Sequence, residues 1–381
     1  MRFQLTDSQR HLRSEAREFA QDIIKPRARE LDQAGEHPTD IINELSDLGY
    51  TGLTIPDAQG GLGRGATELA IVIEELSAAL MSVASTIGLH LGVAEVIERF
   101  GSDQQRETYL PEMAAYDTVC ALGLSEHFAG SDKLQMETTA EQDGNEWVLN
   151  GHKQWITNFL NADYVLTYAK TGPDSESPHN ITAFLVPTDE FTVDEVWDTL
   201  GARSVKSPRA TLSDVHVSDH HRVGEVGKGY IQRSKLRTGV NVPARGVGIA
   251  RAALDDTVAY TSGREQFDQS ISDFQGIRWE VAEMAERVDV ARLLTLRAAD
   301  RSDRDADTAR AFSMAKIAAT QAAVDNANKA MQFHGGLGYT TEHHVERYLR
   351  DAKLLTIAGG PNEGHKDTLA EAVYDEHPRK V

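Results

Sequence analysis

The chain has 381 residues, of which 40% are hydrophobic, and it carries a formal net charge of −20. Because one hydrophobic core seldom serves more than roughly 250–300 residues, a chain of this length is expected to form several domains. The strongly negative charge argues against nucleic acid or an anionic membrane surface as a partner.

The sequence indicates a protein of a reducing compartment. No segment has the ~18–20 uncharged apolar residues of a membrane helix, and residues 1–7 lack the apolar stretch of a signal peptide. Cys120 is the only cysteine, which excludes an intramolecular disulfide and a cysteine-built zinc site. It lies in an apolar run, so a buried structural thiol is predicted. We therefore expect a cytoplasmic protein without membrane insertion.

The acidic residues are spread along the chain, and two interpretations of them stay open. They are typical of adaptation to high salt, where screening removes the repulsion between like charges. They are equally typical of an ordinary acidic enzyme.

The first third of the chain predicts helices. Thr6 is placed to cap a helix over residues 9–24, and Pro26 should end it, because proline excludes the preceding residue from helical backbone angles. Two long, largely buried helices are predicted over residues 67–80 and 82–100.

The periodicity changes near residue 117 to short segments rich in β-branched and aromatic residues. Asn150-Gly151 lies between two of these segments and predicts a tight β-hairpin turn. Helical periodicity returns after residue 229. The predicted segments are 119–124, 147–149, 153–157, 164–169, 181–186 and 210–217 for strands, and 244–260, 275–299, 307–333 and 342–353 for helices.

The order helical, β, helical, with no βαβ alternation, predicts a multidomain α+β protein. We expect an N-terminal helical domain over residues 1–116, a central antiparallel, barrel-like β-domain over residues 117–225, and a C-terminal four-helix-bundle domain over residues 226–381.

Common site signatures are missing. The glycine-rich loops at residues 60–65 and 335–338 do not have the GxGxxG spacing of a dinucleotide site, and the histidines do not have the HExxH spacing of a zinc site. No metal site is predicted.

Residues 125–132, after a strand, offer small side chains and backbone amides to a phosphate or a carbonyl-rich ring. Trp155 and Thr157 place an aromatic face beside a hydroxyl, a pair suited to stacking on and hydrogen-bonding a flavin. Taken singly, these two segments indicate only a turn and a core tryptophan.

Five segments in a fixed order carry a resemblance. Residues 121–132 (ALGLSEHFAGSD) are similar to A-L-T-E-P-x-A-G-S-D, and residues 150–158 (NGHKQWITN) to a hairpin motif N-G-x-K-x-W-I-T-N. Residues 253–267 are similar to A-L-x-x-x-x-x-Y-x-x-x-R-x-x-F-G, residues 332–339 to Q-x-F-G-G-x-G-Y, and residues 350–353 to R-D-A-K. These are motifs of the acyl-CoA dehydrogenase family, which the chain resembles over nearly its whole length.

The resemblance implies an FAD site shared between subunits of a homotetramer. One subunit would contribute the residues up to Thr157, and a neighbour those from Arg264 to Gly336. The residues implied at FAD are Leu122, Leu124, Ser125, Ser131, Trp155, Ile156, Thr157, Arg264, Gln266, Phe267, Phe274, Gln275, Gln332, His334, Gly335, Gly336, Pro361, Asn362 and Glu363. Those implied at the substrate are Ser131, Thr238, Gly239 and Gly360.

The implied reaction is α,β-dehydrogenation of an acyl-CoA, with a hydride passing to flavin N5 and electrons leaving to an electron-transfer flavoprotein. The family's catalytic glutamate falls on Gly359, and its alternative location falls on Thr238 or Gly239, so neither place has a carboxylate. The Gly359 amide could still bind the thioester oxygen, and Glu363 is the nearest acid in sequence that could act as the base.

The missing carboxylate keeps two alternatives open. One is the same fold with different flavin chemistry, such as an oxidase or a monooxygenase. The other is a catalytically inactive partner subunit that binds FAD and acyl-CoA.

Overall fold

The computed structural model describes residues 4–233, 236–306 and 308–376. Six helices form its N-terminal region. They are α1 (Asp7–Phe19), α2 (Ala28–Ala34), α3 (Thr39–Asp47), α4 (Ala66–Ala79), α5 (Met81–Phe100) and α6 (Asp103–Ala114). Helices α4 and α5 are buried over most of their surface, which confirms the two long buried helices predicted there.

The start of α1 agrees with the sequence, whereas the predicted stop after it was wrong. The Thr6 hydroxyl accepts a hydrogen bond from the Gln9 amide and caps the helix. At Lys25-Pro26 the helical path continues, through a five-residue π-helical turn and the 3₁₀ turn Lys25–Arg27, into α2. Pro26 is tolerated because it lies in the first turn of a new segment, where its missing amide hydrogen has no partner to lose.

The central region is an eight-stranded sheet. The strands are β1 (Cys120–Gly123), β2 (Thr139–Asp143), β3 (Glu146–Gln154), β4 (Tyr164–Lys170), β5 (Ile181–Pro187), β6 (Thr192–Val196), β7 (Pro208–Ser218) and β8 (Arg222–Val223). Seven of them run in the order β6-β7-β3-β2-β4-β5-β8, and β1 pairs with β4. Most pairs are antiparallel, but β1 and β4 are parallel.

The hairpin predicted at Asn150-Gly151 was wrong, because both residues lie inside the single strand β3. The pairing of β3 with β7 shifts register between Leu149 and Gly151, so the glycine marks a bulge. A Cβ atom on Gly151 would lie 2.6 Å from the Cα of Thr138. Glycine is therefore needed here for close backbone approach, and the turn itself lies at Gly144, between β2 and β3.

The C-terminal region is built on one central helix. The elements of this region are α7 (Gly229–Arg233), α8 (Asn241–Gly263), the short strands β9 (Glu265–Gln266) and β10 (Gln269–Ser270), α9 (Gln275–Asp303), α10 (Ala309–Phe333), α11 (His344–Leu355) and α12 (Asn362–Glu376). The central helix α8 lies between α4 and α10. A Cβ atom on Gly248 would come within 2.3 Å of the Glu74 carbonyl of α4, and one on Gly246 within 2.7 Å of the Ala319 carbonyl of α10.

Across the described parts of the chain, no helix combines the length and the apolar character needed to cross a membrane. Within the same residues, no three His, Cys, Asp or Glu side chains are grouped so that they could hold a metal ion.

Candidate functional site

The loop that follows β1 is fixed by a buried ion pair. The Glu126 carboxylate lies 2.5 Å from the Lys153 ammonium group of β3, and both side chains are fully buried. The same carboxylate accepts hydrogen bonds from the Glu137 and Thr138 amides at the far end of the loop. Burial alone would raise the pKa of Glu126, but Lys153 and these donors lower it, so the group is held ionised.

The structure brings the two segments predicted at a flavin side by side. The Gln154 amide donates to the Ser125 carbonyl at 2.9 Å, so Ser125 and Trp155 are neighbours across two chain segments. Leu122, Ser125 and Thr157 are half-buried. Leu124 and Ile156 lie in the interior, whereas Ser131 is exposed in the loop.

Trp155 presents an open aromatic face. Its side chain is 50% exposed, and its backbone has a φ of 60°, which is uncommon for a bulky residue and worth a functional explanation. The ring stacks on Trp197, with centroids 5.0 Å apart. The Trp197 indole nitrogen is buried without a hydrogen-bond partner among the described residues.

Gly359 lies in the loop between α11 and α12, against α8. Its φ is 69°, and a Cβ atom on it would lie 3.0 Å from Val242 Cγ2. The amides of Gly359 and Gly360 donate to no acceptor in the described part of the chain. Lys316 of α10 holds this loop by donating to the Gly360 carbonyl at 2.7 Å and to Asn362 Oδ1 at 2.8 Å.

Glu363 lies in the first turn of α12 and points outward. Its side chain is 77% exposed and lies 3.8 Å from the Lys366 ammonium group. Pro361, beside it, is half-buried. The structure therefore separates Glu363 from the buried side of the Gly359 loop, and its role as a base stays a prediction.

The second family position for a base lies near a carboxylate that sequence reasoning missed. Thr238 is buried, and Glu95 of α5 accepts hydrogen bonds from the Arg237 and Thr238 amides at 2.7 and 2.8 Å. Glu95 also lies 3.2 Å from Arg99. The Glu95 carboxylate oxygens are thus occupied by these contacts, and they hold the turn that leads into α8.

The residues predicted to complete a neighbour's FAD site lie together in the C-terminal region. Phe267 is 86% exposed, and its ring makes an edge contact with Phe274. Arg264, Gln266, Gln275, Gln332, Gly335 and Gly336 are exposed as well. Within the described residues no hydrogen bond or ring contact joins this group to Ser125 or Trp155.

His334 differs from the rest of that group because it is buried. Its ring stacks on Tyr260 at 4.2 Å, and its Nδ1 donates to the Ala330 carbonyl. Burial lowers the pKa of His334, so the ring is neutral near neutral pH.

Comparison with known protein families covers nearly the whole chain. Residues 6–117, 121–215 and 229–374 match the N-terminal, middle and C-terminal domains of acyl-CoA dehydrogenases. The chain belongs to the acyl-CoA dehydrogenase family. It is therefore an oxidoreductase with FAD as its cofactor, as the resemblance implied.

Relatives support this over their full lengths. A probable acyl-CoA dehydrogenase of Bacillus subtilis is 36% identical over 378 residues, covering 97% of this chain and 99% of the relative. The structure is similar to butyryl-CoA dehydrogenase from Megasphaera elsdenii, with a TM-score of 0.93, 32% identity and coverage of 98% and 100% of the two chains. It is also similar to glutaryl-CoA dehydrogenase in its glutaryl-CoA complex, with a TM-score of 0.94, 31% identity and coverage of 100% and 98%. The predicted α+β architecture is confirmed.

The residues around Trp155 fit FAD. A flat ring needs an apolar face and polar groups at its edge, and Trp155, half-buried Leu122 and the half-buried Thr157 hydroxyl provide both. Gly335 and Gly336, with nothing within 4 Å of an added Cβ, leave their backbone open to a phosphate.

Sequence reasoning missed three parts of the site. Trp197 stacks on Trp155 from a separate segment, and no local pattern signals that contact. Glu95 is one of two acids on the buried helix α5, and no local pattern signals that it reaches the Thr238 amide. Glu126 and Lys153 stood inside the two flavin motifs, and their position in those motifs was the signal that could have paired them.

Proposed function

We propose that the protein catalyses α,β-dehydrogenation of an acyl-CoA thioester and passes the electrons to an electron-transfer flavoprotein. The observation that carries this proposal is a row of cationic and neutral basic side chains that leads to the Gly359 loop. Arg233 lowers the pKa of Lys133, and Lys133 and Lys316 both lower the pKa of His365, whose Nε2 lies 3.1 Å from the Gly359 carbonyl oxygen. Within the described residues none of the four forms an ion pair.

In a protein of net charge −20, such a row is suited to a ligand with several phosphates, as CoA has. Burial lowers the pKa of Lys133 to about 8, and nearby Arg233 lowers it as well. A bound phosphate would offset that repulsion and hold Lys133 protonated. Ser131, in the same loop, is proposed to contact the same part of the ligand.

The free amides of Gly359 and Gly360 are proposed to bind the thioester oxygen, which would make the neighbouring Cα more acidic. Amide donors placed in this way are worth about 3–4 kcal/mol each in other acyl-transfer sites. FAD, when bound, supplies the hydride acceptor. Trp155, Leu122 and Thr157 would orient its ring and exclude water from one side.

Anaerobic titration of the yellow holoenzyme with acyl-CoAs tests the proposal. We expect the visible flavin absorbance to bleach with at least one thioester in a series of monocarboxylic and dicarboxylic acyl groups. Transfer to an electron-transfer flavoprotein should then outpace reoxidation by air. Faster reoxidation by air would favour an oxidase instead.

A second candidate is favoured by the missing carboxylate at Gly359, namely a subunit that binds FAD and acyl-CoA without turning them over. Binding of thioesters without any bleaching would establish this candidate and overturn the dehydrogenase. If the dehydrogenase stands, Glu363→Gln tests the base: unchanged turnover removes Glu363 from the reaction.

We also propose a homotetramer, because Phe267 and Arg264 lie on an exposed surface that is predicted to face a neighbour's FAD. Light scattering should give four times the 41.9 kDa of one chain. A monomer that retains FAD would contradict the shared site.

A further inference from the structure

Arg245 of α8 is a buried charge without a buried counter-charge. Its side chain is 5% exposed. The guanidinium donates to Ser85 Oγ at 2.6 Å and to Asn241 Oδ1 at 2.9 Å, and both acceptors are neutral. No carboxylate in the described part of the chain lies within ion-pair distance of it. Arg251, on the same helix, differs because it pairs with two buried glutamates, Glu74 and Glu75.

Leaving a buried guanidinium without an anion is costly, because burial removes the water that would otherwise solvate the charge. Burial lowers the pKa of Arg245 to about 10, because the charged form loses its solvation by water. The chain has 59 acidic residues, and none of those described is placed to offset this charge. The offsetting group is therefore expected to come from a ligand.

Arg245 lies at the inner end of a seam between α5 and α8. At the outer end, a Cβ atom on Gly92 would lie 3.6 Å from Thr238 Oγ1. In the middle, a Cβ atom on Gly88 would lie 3.0 Å from Asn241. At the inner end, Ser85 binds the guanidinium.

The Gly359 loop contacts this seam at Val242, three residues before Arg245. An acyl group whose thioester lies at Gly359 would therefore reach the guanidinium within about one helical turn of α8. That distance suits a short chain.

A second buried cation adds to the positive field at this place. Lys316 is fully buried beside the Gly359 loop. Burial lowers its pKa to about 8; Glu363 raises it, and the charge of Arg245 lowers it further. The two cations therefore repel each other, and an anion bound near both would relieve that repulsion.

We propose that the acyl group accepted here is short and ends in a carboxylate, which Arg245 binds. The substrate class is then a dicarboxylic acyl-CoA, and Arg245 is the residue that determines specificity. Two N–H groups of one guanidinium match the two oxygens of a carboxylate, which gives both affinity and orientation. The inference rests on the proposed function, since it places an acyl thioester at Gly359.

Isothermal titration of the holoenzyme with glutaryl-CoA and pentanoyl-CoA tests the inference, because these thioesters have equal carbon number and differ in the terminal carboxylate. We expect the wild type to bind glutaryl-CoA at least tenfold more tightly. Arg245→Met should weaken glutaryl-CoA binding on the order of 10- to 100-fold and leave pentanoyl-CoA within about twofold. Arg237→Met is the matched control: this half-buried arginine pairs with Asp305 outside the seam, so its loss should leave the preference for glutaryl-CoA unchanged.

Ser85→Asp provides a second variant in case Arg245→Met does not fold. It places a carboxylate beside the guanidinium and should abolish the preference for glutaryl-CoA without removing Arg245. A wild type that binds pentanoyl-CoA as tightly as glutaryl-CoA, or a preference that survives Ser85→Asp, would overturn the inference and leave the proposed function standing. If neither thioester binds, both fail.

Discussion

At the scale of single residues, the ion pair between Glu126 and Lys153 determines how the flavin loop is held. Both groups are fully buried, so each depends on the other to avoid an unpaired charge. The pair joins β3, which leads to Trp155, to the loop that starts at Ser125. A disturbance of the pair should therefore reach the cofactor.

Glu126→Gln should destabilise the fold by about 3–5 kcal/mol, because it leaves Lys153 buried with a neutral partner. Urea denaturation of the apoprotein measures this. The matched control is the double variant Glu126→Gln with Lys153→Met, which removes both charges and should recover much of the loss. A single variant as stable as wild type would show that water reaches Lys153.

The same pair predicts how stability depends on pH. The folded-state pKa of Glu126 lies below its ordinary value of 4.5. Its contribution is therefore fully present above about pH 4.5 and is lost as the pH falls through the folded value. The difference in stability between wild type and Glu126→Gln should shrink over that acidic range.

Single residues also show which contacts could be predicted from the sequence and which could not. Trp155 and Ser125 were predicted together from their motifs, and the structure places them side by side. Trp197 could not be assigned, because its role arises from a contact between segments far apart in the chain. Periodicity and local motifs carry no information about such contacts.

At the scale of elements, α8 shows how helix packing depends on missing side chains. Helices pack as closely as the residues at the crossing allow, and glycine allows the backbones to touch. At Gly248 the Glu74 carbonyl of α4 occupies the place of a side chain. The sequence predicted α8 as a helix, but it could not predict which of its faces meets α4.

Gly248→Ala should destabilise the protein, although alanine normally stabilises a helix interior by about 1 kcal/mol relative to glycine. The added Cβ atom would lie 2.3 Å from the Glu74 carbonyl, so α4 and α8 must separate. We expect a loss of about 1–3 kcal/mol in urea denaturation. Gly276→Ala in α9 is the control: nothing lies within 4 Å of its Cβ position, and no loss is expected there.

In strand β3 the tertiary structure overrides a local sequence preference. Asn-Gly favours a tight turn in isolation, but Asn150-Gly151 lies inside a strand. Pairing of β3 with β7 on both sides of Gly151 stabilises a bulged strand instead. Hydrogen bonds along the whole of β3 therefore stabilise the strand more than a turn at Asn150-Gly151 would stabilise a hairpin.

At the scale of the whole molecule, the dominant property is the net charge of −20. Many exposed ion pairs, such as Arg304 with Asp300, offset part of the repulsion locally. Such exposed pairs contribute little, about 0–1 kcal/mol each. The excess of unpaired carboxylates should therefore dominate the response to salt.

Raising KCl from 0.1 to 1 M should raise the melting temperature by a few degrees, because the screening length falls from about 10 to 3 Å. Sucrose at equal osmolality serves as the control, since it excludes volume without screening charge. A melting temperature that stays constant or falls in KCl would refute adaptation to high salt and leave an ordinary acidic enzyme.

The lone thiol gives this protein a practical use. Cys120 lies fully inside the fold, and burial, aided by the nearby Asp163, raises its pKa far above the ordinary value. It should stay inert to maleimides while the chain is folded. The natural sequence is thus a ready background for site-directed labelling: a cysteine introduced at exposed Asn145, in the turn between β2 and β3, would take one probe per chain, and distances between probes would report how the subunits are arranged.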